Sequence, residues 1–313
     1  MVSGVRDLAF DGSGYALDGA SSHQCLAVGS SSTVTINDWT LRNCFVACSA
    51  AGVDCGGGAL VITGSSQVTL SRVLIESAQA AFSGSLYCAV GGGQLCGGGA
   101  IMVLDSALTM VGGAISGASS VGGFGGGVYV AGGAVASLVG ANVTGCSASD
   151  NPNTGADPTC GGGIYIGGGA RLNATEGTKV DGNDATQGGG VCMVGDGATL
   201  FDSPGARFEG ARVEGNTASG GGSTGYGGGF FVTGISYLLA TGTTVADNVA
   251  VNGGGLYVQP PSGQTALSQD VSIGSGSAFL GNTAYSFGNE VGQCYHWQLL
   301  AQIRSRITFC SPL

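Results

Sequence analysis

Short runs of alternating apolar residues, each introduced by glycine, recur along the chain. The segments GGGVYV (125–130), GGGIYI (161–166) and GGGLYV (253–258) are three of seven similar copies. Alternation with a period of two predicts β-strands, and the glycines predict tight corners because glycine tolerates positive φ. No segment of the repeat shows the apolar spacing of an amphipathic helix. The seven triplets lie at 56–58, 97–99, 125–127, 161–163, 188–190, 227–229 and 253–255.

A second motif follows each triplet: an apolar residue, two variable residues, a small or amide residue, one variable residue and usually alanine. In five units its small or amide position lies at a nearly constant distance from the last glycine, as from Gly163 to Asn183. In the other two the distance is longer, as from Gly190 to Asn216. The segment from this motif to the next triplet ranges from TQ (186–187) to AFSGSLYCAVGGGQLC (81–96), so length variation is concentrated at one corner. The small or amide position holds Cys44, Ala78, Ala118, Cys146, Asn183, Asn216, Asn248 and Asn282.

Units this short cannot bury a face alone and must stack as a solenoid. Short strands and turns in a stacked repeat predict a right-handed parallel β-helix of about eight coils. Division of the last unit into GLYV, QDVSI and SAFLGNTA predicts three sheets. We expect an N-terminal coil or cap at 1–33, repeats over 34–290, and a C-terminal cap with a possible disulfide at 291–313.

Stacking of the coils places equivalent residues of successive units above one another, which predicts two columns of side chains. Asn183, Asn216, Asn248 and Asn282 are predicted to form an inward ladder in which amides hydrogen-bond along the axis. The middle residue of each run after a triplet is predicted to face outward, because its neighbours face the core. This outward stripe comprises Leu60, Ile101, Tyr129, Tyr165, Cys192, Phe231 and Tyr257. It is either a docking surface or a strip covered by turns and variable loops.

The chain has eleven cysteines and lacks the paired Cys-x-x-Cys spacing of zinc sites. We therefore predict that they form structural disulfide bonds and that the protein folds in an oxidising compartment. Pairs that bracket a loop or the tail are Cys48 with Cys55, Cys88 with Cys96, and Cys294 with Cys310. An alternative joins Cys55 to Cys96 on adjacent coils. An odd number leaves at least one cysteine free or intermolecular, and Cys146 or Cys192 is the candidate.

Composition narrows the function classes. The net charge of −10 disfavours nucleic acid and anionic lipid as partners, and no apolar run is long enough for direct membrane insertion. The sequons at Asn142 and Asn173 are glycosylation candidates and agree with secretion. His23 and His296 lie near opposite ends of the chain, so neither a metal site nor a cofactor is predicted.

The glycine triplets combined with the apolar-x-x-Asn motif resemble the repeats of chlamydial polymorphic outer-membrane proteins and of related protist and algal surface proteins. The resemblance covers about residues 40–285. It implies a pectin-lyase-like β-helix that serves as a surface adhesin or an autotransporter passenger. The segment 285–313, which follows the last motif, is too short for a translocator barrel.

The sequence thus predicts a non-enzymatic extracellular or cell-surface module, structural or adhesive, within a larger protein or filament. Its expected partners are proteins of an extracellular assembly, a cell-surface receptor or a glycan. The alternative is a polysaccharide-active enzyme of the pectate-lyase type. Under this alternative, Asp181, Asp184 and Glu214 would hold Ca²⁺ and Arg212 would act as the base. The simpler interpretation is that these charges form salt bridges between neighbouring coils, which involve Lys179, Asp181, Arg212 and Glu214.

Overall fold

The chain folds as a parallel β-helix. The structure, a computed structural model, describes residues 1–48, 55–82, 96–150, 159–195, 203–220, 225–259, 269–287 and 291–293. These residues form 38 strands, numbered along the chain, and no helix. Strands from successive coils pair in parallel into four long sheets, here named A to D in the order in which a coil visits them.

Sheet A has ten strands: β1 Val2–Ser3, β4 Leu26–Gly29, β9 Leu60–Ile62, β14 Ile101–Leu104, β18 Val128–Ala131, β22 Ile164–Gly167, β26 Val191–Val194, β30 Phe230–Thr233, β34 Leu256–Gln259 and β38 Val291–Gln293. Sheet B has nine: β2 Leu8–Asp11, β5 Thr33–Asn37, β10 Gln67–Ser71, β15 Ala107–Val111, β19 Val135–Val139, β23 Arg171–Thr175, β27 Gly205–Glu209, β31 Ser236–Thr241 and β35 Gln269–Ile273.

Sheet C has nine strands: β3 Ala16–Asp18, β6 Thr40–Arg42, β11 Leu74–Glu76, β16 Ala114–Ser116, β20 Asn142–Thr144, β24 Lys179–Asp181, β28 Arg212–Glu214, β32 Thr244–Ala246 and β36 Ala278–Leu280. Sheet D has eight: β7 Phe45–Cys48, β12 Gln79–Phe82, β17 Ser119–Val121, β21 Ser147–Ser149, β25 Asp184–Ala185, β29 Thr217–Ala218, β33 Val249–Asn252 and β37 Thr283–Phe287. A separate pair joins β8 Cys55–Gly56 to β13 Cys96–Gly97.

The structure corrects the expectation of three sheets. The segment SAFLGNTA, expected to be one strand, divides into β36 and β37 at Gly281, whose φ is +64°. A residue with positive φ precedes the small or amide position in the other units too, as at Asn43, Gly182 and Asp247. A residue in the left-handed region ends a strand, so each coil turns once more and separates sheet C from sheet D.

The described residues make nine turns, in agreement with the expected number of about eight, since sheets B and C each contain nine strands. Residues 1–33 contain β1 to β4, and these strands pair in register with the next coil. The first segment therefore continues the stack. Of the expected C-terminal cap, only 291–293 belong to the described residues, where β38 pairs with β34.

Glycine triplets form the corner between sheets D and A, as their position predicted. In 161–163, Gly161 has φ of +75°, and a Cβ on Gly162 would collide with the carbonyl oxygen of Asp184. The first glycine thus permits the turn, and the second permits close approach of the backbone. Inside the coil, alternate aliphatic side chains from sheets A, B and C fill a continuous core that runs from Val28 to Phe279.

Candidate functional site

The aromatic stripe predicted from the triplets is buried. Tyr129, Tyr165 and Phe231 lie outside the main core, as alternation predicts, but they are only 2%, 5% and 2% exposed. Of the two interpretations of the stripe, the exposed docking surface is therefore wrong, and the burial agrees with the alternative of a covered strip. These side chains belong to a second apolar cluster composed of Met102, Leu104, Phe124, Tyr129, Ala131, Cys160, Tyr165, Cys192, Val194, Phe231 and Tyr257.

Residues placed directly before the glycine triplets pack against this stripe. The Phe124 ring stacks on Tyr165 with centroids 5.0 Å apart, and the Tyr226 ring lies 4.6 Å from that of Tyr257. Cys160 is disulfide-bonded to Cys192. A buried phenol ring in contact with other rings contributes apolar area to stability instead of recruiting a partner.

Two members of the predicted stripe, Leu60 and Ile101, were assigned to the wrong face. Ile101 is in register with Val128 and Leu60, and all three belong to the main core. The position equivalent to Tyr129 is held by Met102. In the first two units an alanine follows the triplet, as in GGGAI, and Ala100 stands where the next unit has Gly127, since Gly97 pairs with Phe124 and Ile101 with Val128. The triplet is thus shifted by one residue relative to the strand, and the outward position is displaced by one from the middle residue.

The four predicted asparagines form a continuous hydrogen-bonded column between sheets C and D. Oδ1 of Asn216 accepts from the backbone N–H of Asn183 at 3.0 Å and from its Nδ2 at 2.9 Å. Nδ2 of Asn216 donates to the Val180 carbonyl and to Oδ1 of Asn248, both at 2.9 Å. Asn248 and Asn282 repeat this pattern. The amides stabilise the stack, since these buried polar groups are satisfied by one another.

The column ends at Cys146, whose backbone N–H donates to Oδ1 of Asn183 at 2.9 Å. Cys146 is the cysteine that the described residues leave unpaired, and burial raises the pKa of its thiol to about 12. Of the two cysteines predicted as candidates for the free thiol, Cys146 is correct. Cys192 is wrong, because it pairs with Cys160.

The disulfides follow the loop-bracketing prediction in part. Cys48 pairs with Cys55 as expected, which excludes the alternative between Cys55 and Cys96, although these two lie in register on β8 and β13. Cys96 is itself disulfide-bonded. A pair not foreseen joins Cys25 to Cys44. Cys88, Cys294 and Cys310 lie outside the described residues.

The acidic residues of the enzyme alternative do not converge on a cation site. Asp181 and Glu214 are in register on sheet C, whereas Asp184 lies beyond the Asn183 corner on sheet D. Within the described ranges, no group of three or more His, Cys, Asp or Glu side chains is placed to hold a metal ion. The structure therefore does not bring together the three residues that the enzyme alternative assigns to Ca²⁺.

Two other charged groups near that corner, those of Arg212 and Asp184, have local partners. Arg212 pairs with Glu214 of the same strand at 3.3 Å, so the ion pair does not cross to the coil of Lys179 and Asp181. Burial raises the pKa of Asp184, and a hydrogen bond from Ser219 Oγ at 3.1 Å opposes the shift. Ion pairs between coils do occur elsewhere, as between Arg42 and Asp18 at 2.9 Å.

Both sequons lie on strands with the asparagine half-buried on an outer face. Asn142 begins β20 of sheet C, and its neighbour Val143 points into the core. Asn173 is the central residue of β23 in sheet B. The structure thus places each acceptor amide on the solvent side of its sheet.

The outer face of sheet B carries exposed side chains that the sequence prediction did not single out. Strands β5, β10, β15 and β19 alternate buried and outward residues in strict register. None of the outward side chains bears a formal charge, and Val111 and Val135 are 43% and 41% exposed. We call this set the uncharged face: Thr33, Thr35, Asn37, Gln67, Thr69, Ser71, Ala107, Thr109, Val111, Val135, Ser137 and Val139.

No family model matches the chain, and comparisons with curated proteins and with solved structures found no match. In the part of the chain that the structure describes, no helix has the length and apolar character needed to cross a membrane. The disulfides are compatible with an extracellular protein.

Proposed function

We propose that this chain is a non-enzymatic extracellular module, structural or adhesive, that presents the outer face of sheet B to a partner. The observation that carries the proposal is the uncharged face. The chain has 9 basic and 19 acidic residues, yet twelve outward positions on four adjacent strands carry no charge. Neighbouring strands lie roughly 4.8 Å apart, so this face is a regular array with low desolvation cost.

The rigidity of the rod supports the same proposal. Backbone pairing along four sheets, the asparagine column and the disulfides hold the strands of sheet B, and so the Cα positions of their outward residues, in place. Binding of a partner to such a face causes little loss of conformational entropy in this chain, because its backbone is already ordered. Apolar groups such as Val111 and Val135 contribute about 25 cal/mol per Å² of buried area before association costs.

A retention assay tests the proposal. Beads coated with the protein are mixed with the cell-wall or matrix fraction of the source organism, and retention is compared between Val135→Glu and Leu74→Glu. The two positions are matched, at 41% and 40% exposure, but Leu74 lies on sheet C. We expect only Val135→Glu to reduce retention, because it introduces an unpaired charge into the interface.

Two results would contradict the proposal. The first is equal retention of both variants and the parent, which would show that the outer face of sheet B does not bind the partner. The second is release of unsaturated or reducing sugar ends when the parent is incubated with polygalacturonate, which would favour the enzyme alternative.

A further inference from the structure

A surface pocket of about 310 Å³ lies on the outer face of sheet B, beyond the uncharged face. Its origin is Gly205, which stands in register between Arg171 of one coil and Tyr237 of the next. Gly205 does not have the positive φ that would demand a glycine. Gly205 is the first residue of β27, and a glycine in a strand often marks a place where another group approaches closely. The missing side chain leaves a notch beside Tyr237, and the Arg171 side chain enters this notch and buries Gly205.

The notch is positively charged because of Arg171. Its side chain lies across Gly205, where a Cβ would be 2.6 Å from Nη1, and Nη1 donates to the Ser203 carbonyl at 3.1 Å. Among the described residues no carboxylate pairs with Arg171. The other arginine of the pocket, Arg207, is neutralised by Glu209 at 2.7 Å. An unpaired guanidinium in a chain of net charge −10 provides a local site for an anion.

The other lining groups suit a ring that bears hydroxyls. Tyr237 and Leu239 contribute apolar surface, and Asn173 and Ser272 contribute an amide and a hydroxyl. A pyranose presents an apolar face of C–H groups that packs on an aromatic ring, while its hydroxyls need amide or hydroxyl partners. An extended acidic peptide has no equivalent use for the Tyr237 ring beside Asn173. The lining therefore favours a sugar over a peptide.

We propose that this pocket binds an acidic sugar unit of an anionic glycan, with its carboxylate or sulfate on Arg171 and its ring on Tyr237. The inference rests on the proposed function, since it names a ligand class for the same face of sheet B. In this proposal Arg171 provides the positive charge that binds the anionic group, and Gly205 provides the space that shapes the pocket.

Calorimetry with defined oligosaccharides tests the inference on protein made in an oxidising bacterial host, which leaves Asn173 without an N-glycan. The probes are an oligogalacturonate, which is carboxylated, a carrageenan oligosaccharide, which is sulfated, neutral maltohexaose, and oligoglutamate as the acidic peptide. We expect one or both anionic sugars to bind and the other two probes not to bind. The carboxylated and sulfated probes distinguish the two sources of charge.

Three variants locate the site. Arg171→Gln and Gly205→Ala are expected to weaken binding about tenfold or more, because each removes a charged hydrogen bond or displaces the side chain that makes it. Gly205→Ala requires only that the flexible end of Arg171 move, so the fold is retained. Arg42→Gln on sheet C makes the same change in net charge and is the matched control, expected to bind within about twofold of the parent.

Several outcomes would overturn the inference. These are equal binding of maltohexaose, binding of oligoglutamate at least as tight as that of the sugars, no binding of either anionic sugar, or parental affinity in Arg171→Gln. Its failure is distinguishable from failure of the proposed function. If retention in the bead assay still depends on Val135 while no anionic sugar binds, the proposed ligand class is wrong, but the proposal that sheet B binds the partner is retained.

Discussion

Replacing Asn216 with leucine removes the centre of the asparagine column while keeping the size of the side chain. Oδ1 of Asn216 serves two donors of Asn183, and its Nδ2 serves the Val180 carbonyl and Asn248. Leucine can replace none of these contacts. Asn216 is fully buried, so water cannot reach the orphaned groups.

The magnitude follows from the groups left without partners. The backbone N–H and one amide hydrogen of Asn183 lose their acceptor, and each unsatisfied buried donor costs about 1–3 kcal/mol. Allowing for partial relaxation, we expect the free energy of unfolding to fall by about 3 kcal/mol. For a chain of this size that corresponds to a decrease in melting temperature of about 5 °C.

Thermal and denaturant unfolding followed by circular dichroism measure the effect, with Asn142→Leu as the matched control. Asn142 carries the same amide on the outer face of sheet C, so its loss should change stability by no more than about 0.5 kcal/mol. A reciprocal variant, Cys146→Asn, extends the column by one position. Sγ of Cys146 lies 3.9 Å from the Ile115 carbonyl, which is the contact that Asn183 Nδ2 makes with Val143 one coil later.

The reasoning would be refuted if Asn216→Leu melted like the parent, or if Asn142→Leu were equally destabilised. Cys146→Asn should be tolerated and should raise or preserve the melting temperature. Strong destabilisation of that variant would mean that the column depends on cavity size and not on hydrogen bonding.

Two further predictions concern titratable groups. Since burial raises the pKa of the Cys146 thiol to about 12, iodoacetamide should not modify Cys146 in the folded protein at neutral pH, but should modify it after unfolding; rapid labelling in the folded state, detected by mass spectrometry, would contradict its burial. Hydrogen bonds from Arg72 lower the pKa of Asp38 below its ordinary value of 3.8, so this pair stabilises the fold above that pH and the contribution is lost as the pH falls through the lowered value. Asp38→Asn should therefore show a weaker decrease in melting temperature on acidification than the parent, and an identical acid dependence would contradict the assignment.

The sequence predicts the coil stack because its signals are local and repeated. Glycine triplets mark one corner, and Asn183, Asn216, Asn248 and Asn282 occupy one column whatever the length of the variable loops. The number of sheets was harder to predict, because the break at Gly281 depends on a single residue in the left-handed region. A segment such as SAFLGNTA otherwise alternates like one strand.

The burial of the stripe could not be read from alternation. Alternation separates the two faces of sheet A, and it assigned Tyr129 and Tyr165 to the outer one. It does not tell which outer faces are covered. The Phe124 ring covers Tyr165, and the Tyr226 ring contacts Phe231 and Tyr257 further along the stripe. Both covering residues belong to the variable corner, where the repeat has no fixed length. An aromatic residue or cysteine directly before five of the seven triplets, at 55, 96, 124, 160 and 226, was the available signal.

The pocket on sheet B was missed for a related reason. Gly205 lies in one of the two longer units, in the segment that leads from Gly190 to Asn216. Only the strand register places it between Arg171 and Tyr237. In sequence it reads as one of 64 glycines, whereas in the sheet it is a gap in a column of side chains.

The central claim is that the outer face of sheet B binds the partner. Oxidative footprinting of the protein, alone and bound to the cell-wall or matrix fraction of the retention assay, tests this claim most directly. Hydroxyl radicals label exposed aliphatic side chains, and the chain offers matched reporters on two faces. Val111 and Val135 on sheet B are 43% and 41% exposed, and Leu74 and Leu280 on sheet C are 40% and 54% exposed. The account predicts that binding protects Val111 and Val135 and leaves Leu74 and Leu280 labelled as in the free protein. Protection of the sheet C leucines with unchanged labelling on sheet B would contradict it.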